Sequence, residues 1–453
     1  MKRVLIPIGI VLSCGCSGVA DEWPQWLGPK RDAIWRETGI ATEFSEGGPP
    51  LRWRRAIGAG YSGPAVAGGK VVFMDRTTQV YQPKQQPDGN INFARLEIPG
   101  NERIVCLNEA DGTVAWVHEY PCSYTTAYPY AIGPRCTPTI DKDRVYALGA
   151  EGQLWCLDLE TGKVLWSKDF REDYELDVPD WGCAAHPLID GDRLICVVGG
   201  RGTTAVAFDK HSGKEIWRAL NSENPGYCAP IIYEIHGRRQ LIIWHGEAVN
   251  GLDAATGDVY WSAPQKPAYG MSIGIPTLTN QGIFCMGFNG FSSLVSINRN
   301  DEAKLVWKGN TRQGVGGVLN KALYLDNHVY ACGQRGQYRC IELTEGKRMW
   351  TSTAPAVRNP EDRAPYWANV FTVFHEPSQL CFLTNDIGDL IIASLSPLGY
   401  KEVDRAKVIE PTHTVGGKLV VWSHPAFANR SLYCRNDKEI LCYSLAAQGN
   451  EED

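Results

Sequence analysis

One pattern of eleven or twelve residues recurs six times along the chain and ends each time on tryptophan: CLNEADGTVAW, CLDLETGKVLW, AFDKHSGKEIW, GLDAATGDVYW, SINRNDEAKLVW and CIELTEGKRMW. The closing residues are Trp116, Trp166, Trp217, Trp261, Trp307 and Trp350, so the steps are 50, 51, 44, 46 and 43 residues. A period of this size made of short β-rich runs is the signature of a four-stranded propeller blade. Within the unit around Trp166 an inner segment, RCTPTID, leads into RVYALGA, a turn, QLWCLD, a Thr-Gly turn and KVLW, giving four strands and three turns. Glycine after Thr161 or Ser212 supplies the positive φ that a tight turn requires, and the polar residue before it bonds the local backbone. No segment sustains the i, i+3, i+4 apolar spacing of a helical repeat.

Inner segments number eight: SGPAVAG, CTPTIDK, AHPLIDG, CAPIIYE, GIPTLTN, LNKALYL, NVFTVFH and SHPAFAN. The last unit runs out after LCYSL without a tryptophan strand, whereas LRWRRAI near the start is such a strand with no unit before it. The expected fold is all-β: one eight-bladed propeller of four-stranded antiparallel blades over residues 51–446, closed by the strand around Trp53 joining the last blade. Closure removes exposed sheet edges. The tryptophans are expected to pack between blades rather than bind ligands, each burying ~200 Å².

Hydrophobic residues at 43% and charged residues at 21% suit a large packed core and exclude a disordered chain. A net charge of -6 without a basic block gives no electrostatic footprint for nucleic acid. Residues 1–20 read as an export leader, with Lys2 and Arg3 before an apolar run and a small-residue site at Gly18-Val19-Ala20. Cys14 and Cys16 stand where a lipoprotein cysteine would, so a lipid tether is the only membrane attachment expected. Residues 21–50 are read as an extension packing on the propeller and 447–453 as a polar tail. Thirteen of fifteen cysteines follow Ala20. Most fall at repeated strand positions, as in Cys106, Cys156, Cys340 and Cys442, and behave as small buried hydrophobes. Cys122 lies in a loop and is the best candidate for a bridge, with Cys136 one possible partner.

The consensus carried by Leu157, Asp158, Thr161, Gly162 and Trp166 closely resembles the tryptophan-docking repeat of the pyrroloquinoline-quinone-like propeller family. The opening WPQWLGPKRDAIWRETGI is similar to the start of a group of exported bacterial proteins with these repeats. The resemblance implies eight blades and two functional branches: quinone- and calcium-dependent alcohol or sugar oxidoreductases, and non-catalytic propellers like the lipoprotein subunit of the outer-membrane assembly machinery. The oxidoreductases use a vicinal disulfide, a tryptophan floor, a calcium shell and a catalytic aspartate. This chain has no Cys-Cys pair, and no motif carries those roles to its residues. Nor does it contain the HRD or DFG signatures, and no G-x-S-x-G elbow or H-E-x-x-H appears in the right context. The expected function is therefore exported, non-catalytic binding or scaffolding of an envelope protein or carbohydrate, with no cofactor and no catalytic residue; pyrroloquinoline quinone with calcium is the alternative.

The loops entering the inner strands gather at one mouth of a propeller. Tyr61, Arg135, Trp181, Tyr227, Tyr269, Arg312 and Trp367 recur just before those strands and would offer stacking faces and donors there. His186 and His424 each precede a proline at one inner-strand position and are expected beside the channel. With Cys136 and Cys228 they could approach one another, but no ligand spacing supports a metal. The insertion at 76–103 reads as an accessory hairpin or surface loop, with a partner-docking flap as the functional alternative.

Overall fold

The computed structural model describes residues 21–77, 90–310, 312–317, 319–359, 361–363 and 366–447. The leader, Cys14, Cys16, part of the 76–103 insertion and most of the tail lie outside the described residues. Eight antiparallel sheets succeed one another along the chain, each built from its innermost strand outward. The innermost strands are Ala65–Ala67, Thr139–Asp141, Leu188–Asp190, Ile231–Ile235, Thr277–Thr279, Leu323–Leu325, Val370–His375 and Ala426–Ala428. The ring closes as the repeat register requires: Leu51–Ala56 pairs antiparallel with Glu439–Ser444, placing Trp53 opposite Cys442 and Arg54 opposite Leu441.

Middle strands such as Arg144–Leu148 are buried almost throughout, because both faces of a blade meet neighbouring blades. Outermost strands alternate: Val114–Pro121 buries Trp116 and Tyr120 while Val114 and Val117 face solvent. The tryptophans join blade to blade. The indole N–H of Trp116 donates to Leu159 O at 2.8 Å, that of Trp166 to Lys210 O at 3.0 Å and that of Trp53 to Glu109 O at 2.8 Å. Asp158 shapes the receiving turn, accepting from the amide and hydroxyl of Thr161 at 2.8 and 2.6 Å. At Gly162, φ is +69° and a Cβ would come within 2.6 Å of the Trp116 ring, so backbone conformation and packing both demand glycine there. Trp261 differs, donating to Gln240 Oε1 within its own blade at 2.6 Å. The turn it would face reads NRNDE rather than Thr-Gly.

Residues 21–40 enter the central channel and fold back on themselves within it. Trp23 pairs with Val66 of blade 1, and Pro24 O accepts from Ile140 of blade 2. The segment turns at Leu27, Gly28 and Arg31, all with positive φ. Ile34–Trp35 then adds a parallel fifth strand to the inner edge of blade 7, with Ile34 opposite Phe374 and Trp35 opposite His375. It leaves through an Ile40 bridge to Ala446. Arg31 is buried at the turn. Its guanidinium donates to Gln25 Oε1 at 2.7 Å, His186 O at 3.0 Å, Pro230 O at 3.1 Å and Pro187 O. The strap thus occupies the axis where inner strands alone would leave a hole.

All thirteen described cysteines are free and buried. The expected loop position of Cys122 is therefore not an accessible one, and no Cys122–Cys136 bridge forms. The Cys122 thiol contacts Gln153 Oε1 at 3.7 Å and that of Cys136 faces Cys183 O at 3.6 Å. Burial raises both thiols far above the ordinary range.

Candidate functional site

The loops from each outer strand to the next inner strand meet around one end of the channel, and the apex of the strap rises to close it from beneath. The result is a cup of about 500 Å³, within the size range of small-molecule sites. Every blade contributes: Tyr61 from the first, Arg135 from the second, Trp181 and His186 from the third, Tyr227 from the fourth, Tyr269, Met271 and Phe288 from the fifth, Leu319 leading into the sixth, Trp367 leading into the seventh, and Trp422 and His424 leading into the eighth.

Trp26 of the strap forms the floor. Its indole stacks on His186 at 4.3 Å between centroids and meets the edge of His424 at 5.3 Å. Both imidazoles are held neutral. Burial, helped by the Arg31 charge, pushes His186 well below the ordinary range, and burial lowers His424 to about 4. His186 Nδ1 accepts from the Thr137 amide at 2.8 Å, which leaves the Nε2–H as its donor. His424 Nε2 donates to Leu319 O at 3.0 Å.

The walls are two aromatic arrays. On one side Phe93 touches Trp181 at 5.4 Å and Tyr269 at 5.3 Å, while Trp181 meets Tyr227 at 5.8 Å and Tyr269 meets Phe288 at 6.0 Å. On the other, Tyr61 approaches Trp422 at 6.3 Å and His413 at 5.3 Å, and Tyr366 packs on Trp367 at 5.3 Å. Tyr269 and Tyr366 remain 62% and 45% exposed. Tyr269 and Trp367 both adopt left-handed backbone, with φ of 59° and 58°. Such strain in bulky residues persists only where the surroundings impose it and clusters at ligand sites.

The cup's electrostatics are simple. Arg135 is the one cation among its described lining residues, held by Gly133 O at 3.0 Å and Tyr130 O at 2.6 Å and lying over the Tyr61 ring at 5.2 Å. None of the described lining residues is Asp or Glu. Asn90, Asn92 and Asn289 sit at the rim.

Of the nine residues singled out in the sequence, eight line this cup: Tyr61, Arg135, Trp181, His186, Tyr227, Tyr269, Trp367 and His424. Arg312 does not. It lies exposed in a turn capped by Asn310 Oδ1, and its carbonyl accepts from Arg348. The glycine-rich GVGG that follows pulls the chain inward in its place, with Val315 and Gly316 buried. Cys136 and Cys228 lie in the packed interior rather than on the cup, and no group of His, Cys, Asp and Glu among the described residues could hold a metal.

Residues the pattern did not flag include Trp26, Phe93, Tyr130 and Trp422. Trp422 had a usable signal, standing two residues before His424 at the blade-entry position. Trp26 and Phe93 had none, because they come from the strap and the insertion, outside the repeat. The described part of that insertion folds over the mouth, Arg95 bridging Ala127 and Ile98 bridging Tyr124.

The sequence profile described as outer membrane protein assembly factor BamB matches residues 100–352. Among solved structures, BamB from Moraxella catarrhalis superposes with a TM-score of 0.55 at 15% identity, over 86% of this chain and 98% of that one. The quinohemoprotein alcohol dehydrogenase ADHIIG from Pseudomonas putida HK5 gives 0.59 at 13% identity, over 95% and 81%. The computationally designed Ika8 protein gives 0.53 at 12% identity, over 87% and 99%. At these identities the likeness speaks to the fold alone. No curated protein matches the sequence.

Proposed function

The chain belongs to the BamB-like propeller family, and from that premise we propose that it is a binding or scaffolding module of the cell envelope which holds a protein or carbohydrate partner in the aromatic cup. The observation that carries this reading is the cup itself: about 500 Å³ of concave surface walled by ring faces, with Tyr269 and Tyr366 held open to solvent. Exposed aromatic faces gathered in a concavity bury much area at small entropic cost when a partner covers them. Among the described lining residues, a neutral floor and one guanidinium supply the polar groups for recognition beside the ring faces.

Membership of a fold shared with a quinohemoprotein dehydrogenase raises the question of quinone and calcium. The residues present do not fit that pair. Calcium takes six to eight oxygen ligands rich in carboxylate, and no Asp or Glu is among the described residues lining the cup. The sequence has no vicinal cysteine pair to lie over the quinone. Export and an envelope location belong to the same proposal, supported by the leader-like sequence of residues 1–20 and by the family.

The test is capture from envelope extracts with the wild-type protein, Tyr269→Ala and Trp367→Ala as parallel baits. Loss of the captured partner in the two variants, with the fold intact by circular dichroism, supports the cup as the binding site. Equal capture by all three baits rejects it.

A further inference from the structure

The cup's charge and wall chemistry narrow the ligand beyond "protein or carbohydrate". Arg135 is half-buried beside aromatic rings, its guanidinium engages only carbonyl oxygens and the Tyr61 face, and among the described residues no carboxylate pairs with it. A partly desolvated cation without a counter-ion is unfavourable, and its natural complement is an anion supplied from outside. Among the described lining residues no acid would attract a cationic ligand or grip a neutral sugar's hydroxyl pairs.

Ring faces set on two sides, with the exposed Tyr269 on one and Tyr366 on the other, suit a ligand with flat apolar faces. The rim adds amides: Asn92 uses its Oδ1 to accept from Tyr130 at 3.0 Å, and its Nδ2 donors are engaged by no described residue. At the floor the His186 Nε2–H is a further donor. Donors of this kind match hydroxyl groups on a ring edge. An extended peptide would instead look for a strand edge to pair with, and the inner edge of blade 7 is already taken by Ile34–Trp35. The strap also blocks threading through the channel, so the ligand enters and leaves by one mouth.

Resting on the reading of the cup as the binding site, we propose that it takes the end of an acidic saccharide, a uronic acid ring laid against the aromatic walls with its carboxylate on Arg135. The floor at Trp26 limits depth, so the terminal ring or two enter and the rest of the chain stays outside.

The experiment titrates the full chain with trigalacturonate and, separately, with the neutral galactotriose, following tryptophan fluorescence and calorimetry. The expected result is saturable quenching by the acid, at least about tenfold tighter than the neutral trisaccharide and weakening with added salt, as a charge-assisted hydrogen bond to Arg135 requires. Arg135→Met is expected to lose about tenfold for the acid and little for the neutral sugar. Tyr269→Ala, whose ring is mostly exposed and so does not threaten folding, is expected to weaken both, and Arg312→Met, outside the cup, neither. Equal binding of the acid and neutral sugars, or acid binding unchanged in Arg135→Met and Tyr269→Ala, overturns the proposal. If neither saccharide binds while envelope capture depends on Tyr269, the ligand class falls and the cup stands. If capture is indifferent to Tyr269 and Trp367, the cup itself falls.

Discussion

Trp26 lies on His186 with ring centroids 4.3 Å apart and planes inclined by 22°. One residue belongs to the N-terminal strap and the other to the entry of blade 3, so this contact joins the channel filling to the wall of the cup. The strap is therefore part of the site, and the cup has a floor only because the chain returns to its own axis.

Removing that floor has two separable effects. Trp26→Ala is expected to destabilise the fold by about 3–5 kcal/mol, as large-to-small changes of buried aromatics do, and to deepen the cup. Denaturant unfolding reads the first; the second appears as loss of partner capture at temperatures where the variant is still folded. Retained capture with unchanged stability would mean that Trp26 is peripheral.

Arg31 is the strap's polar anchor. Its nitrogens satisfy carbonyls at the entries of blades 3 and 4; Pro187 O also accepts from the Thr139 hydroxyl at 2.9 Å, whereas His186 O and Pro230 O have no other donor among the described residues and would be left buried and unpaired in Arg31→Met. Each such loss costs about 1–3 kcal/mol. The expected outcome is a fall in stability of several kcal/mol, seen in urea unfolding, with Arg31→Lys rescuing only part because an ammonium cannot fork between carbonyls.

The neutral floor makes stability depend on acid. His424 is lowered to about 4 by burial, so above the unfolded-state value near 6.5 both states are neutral and its contribution is complete. As pH falls from about 6.5 to 4 the unfolded chain takes up the proton first, and the contribution drains away. Asp386 works in the opposite sense. Burial, against the pull of Lys418 at 3.1 Å, raises it to about 7, so its contribution is present at low pH and lost as pH rises toward 7. Comparing melting temperatures of wild type and His424→Asn isolates the histidine: the gap between them should narrow as pH drops from 6.5 to 4.5. A constant gap would show that the imidazole titrates normally.

The repeat made the ring legible. Six Trp-terminated strands, eight inner segments and the orphan strand at Trp53 are enough to specify blade number and closure, because each blade buries its face only on copies of itself. Most of the cup was legible for the same reason, since equivalent positions such as Tyr61, Tyr227 and Trp367 must converge wherever blades superpose. Arg312 broke the rule because the glycine-rich GVGG turn replaces an entering side chain with buried backbone. That residues 21–50 pack on the propeller was read from the sequence, but the path through the channel was illegible: the segment has no period, and Trp23, Trp26 and Trp35 are buried by contacts to distant blades. Cys122 misled because a residue between strands can still be buried, here in one core cluster with Ile98, Tyr120 and Tyr124.

The central claim is that residues 21–40 fill the channel and floor the cup, and amide hydrogen exchange tests it most directly. The amides of Trp23 and Ala33, bonded to Val66 O and Leu27 O, and those of Val66, Ile140 and Phe374, which donate to the strap, should exchange as slowly as the middle strands of the blades. Exchange of residues 21–40 at the rate of an unstructured chain would contradict the account.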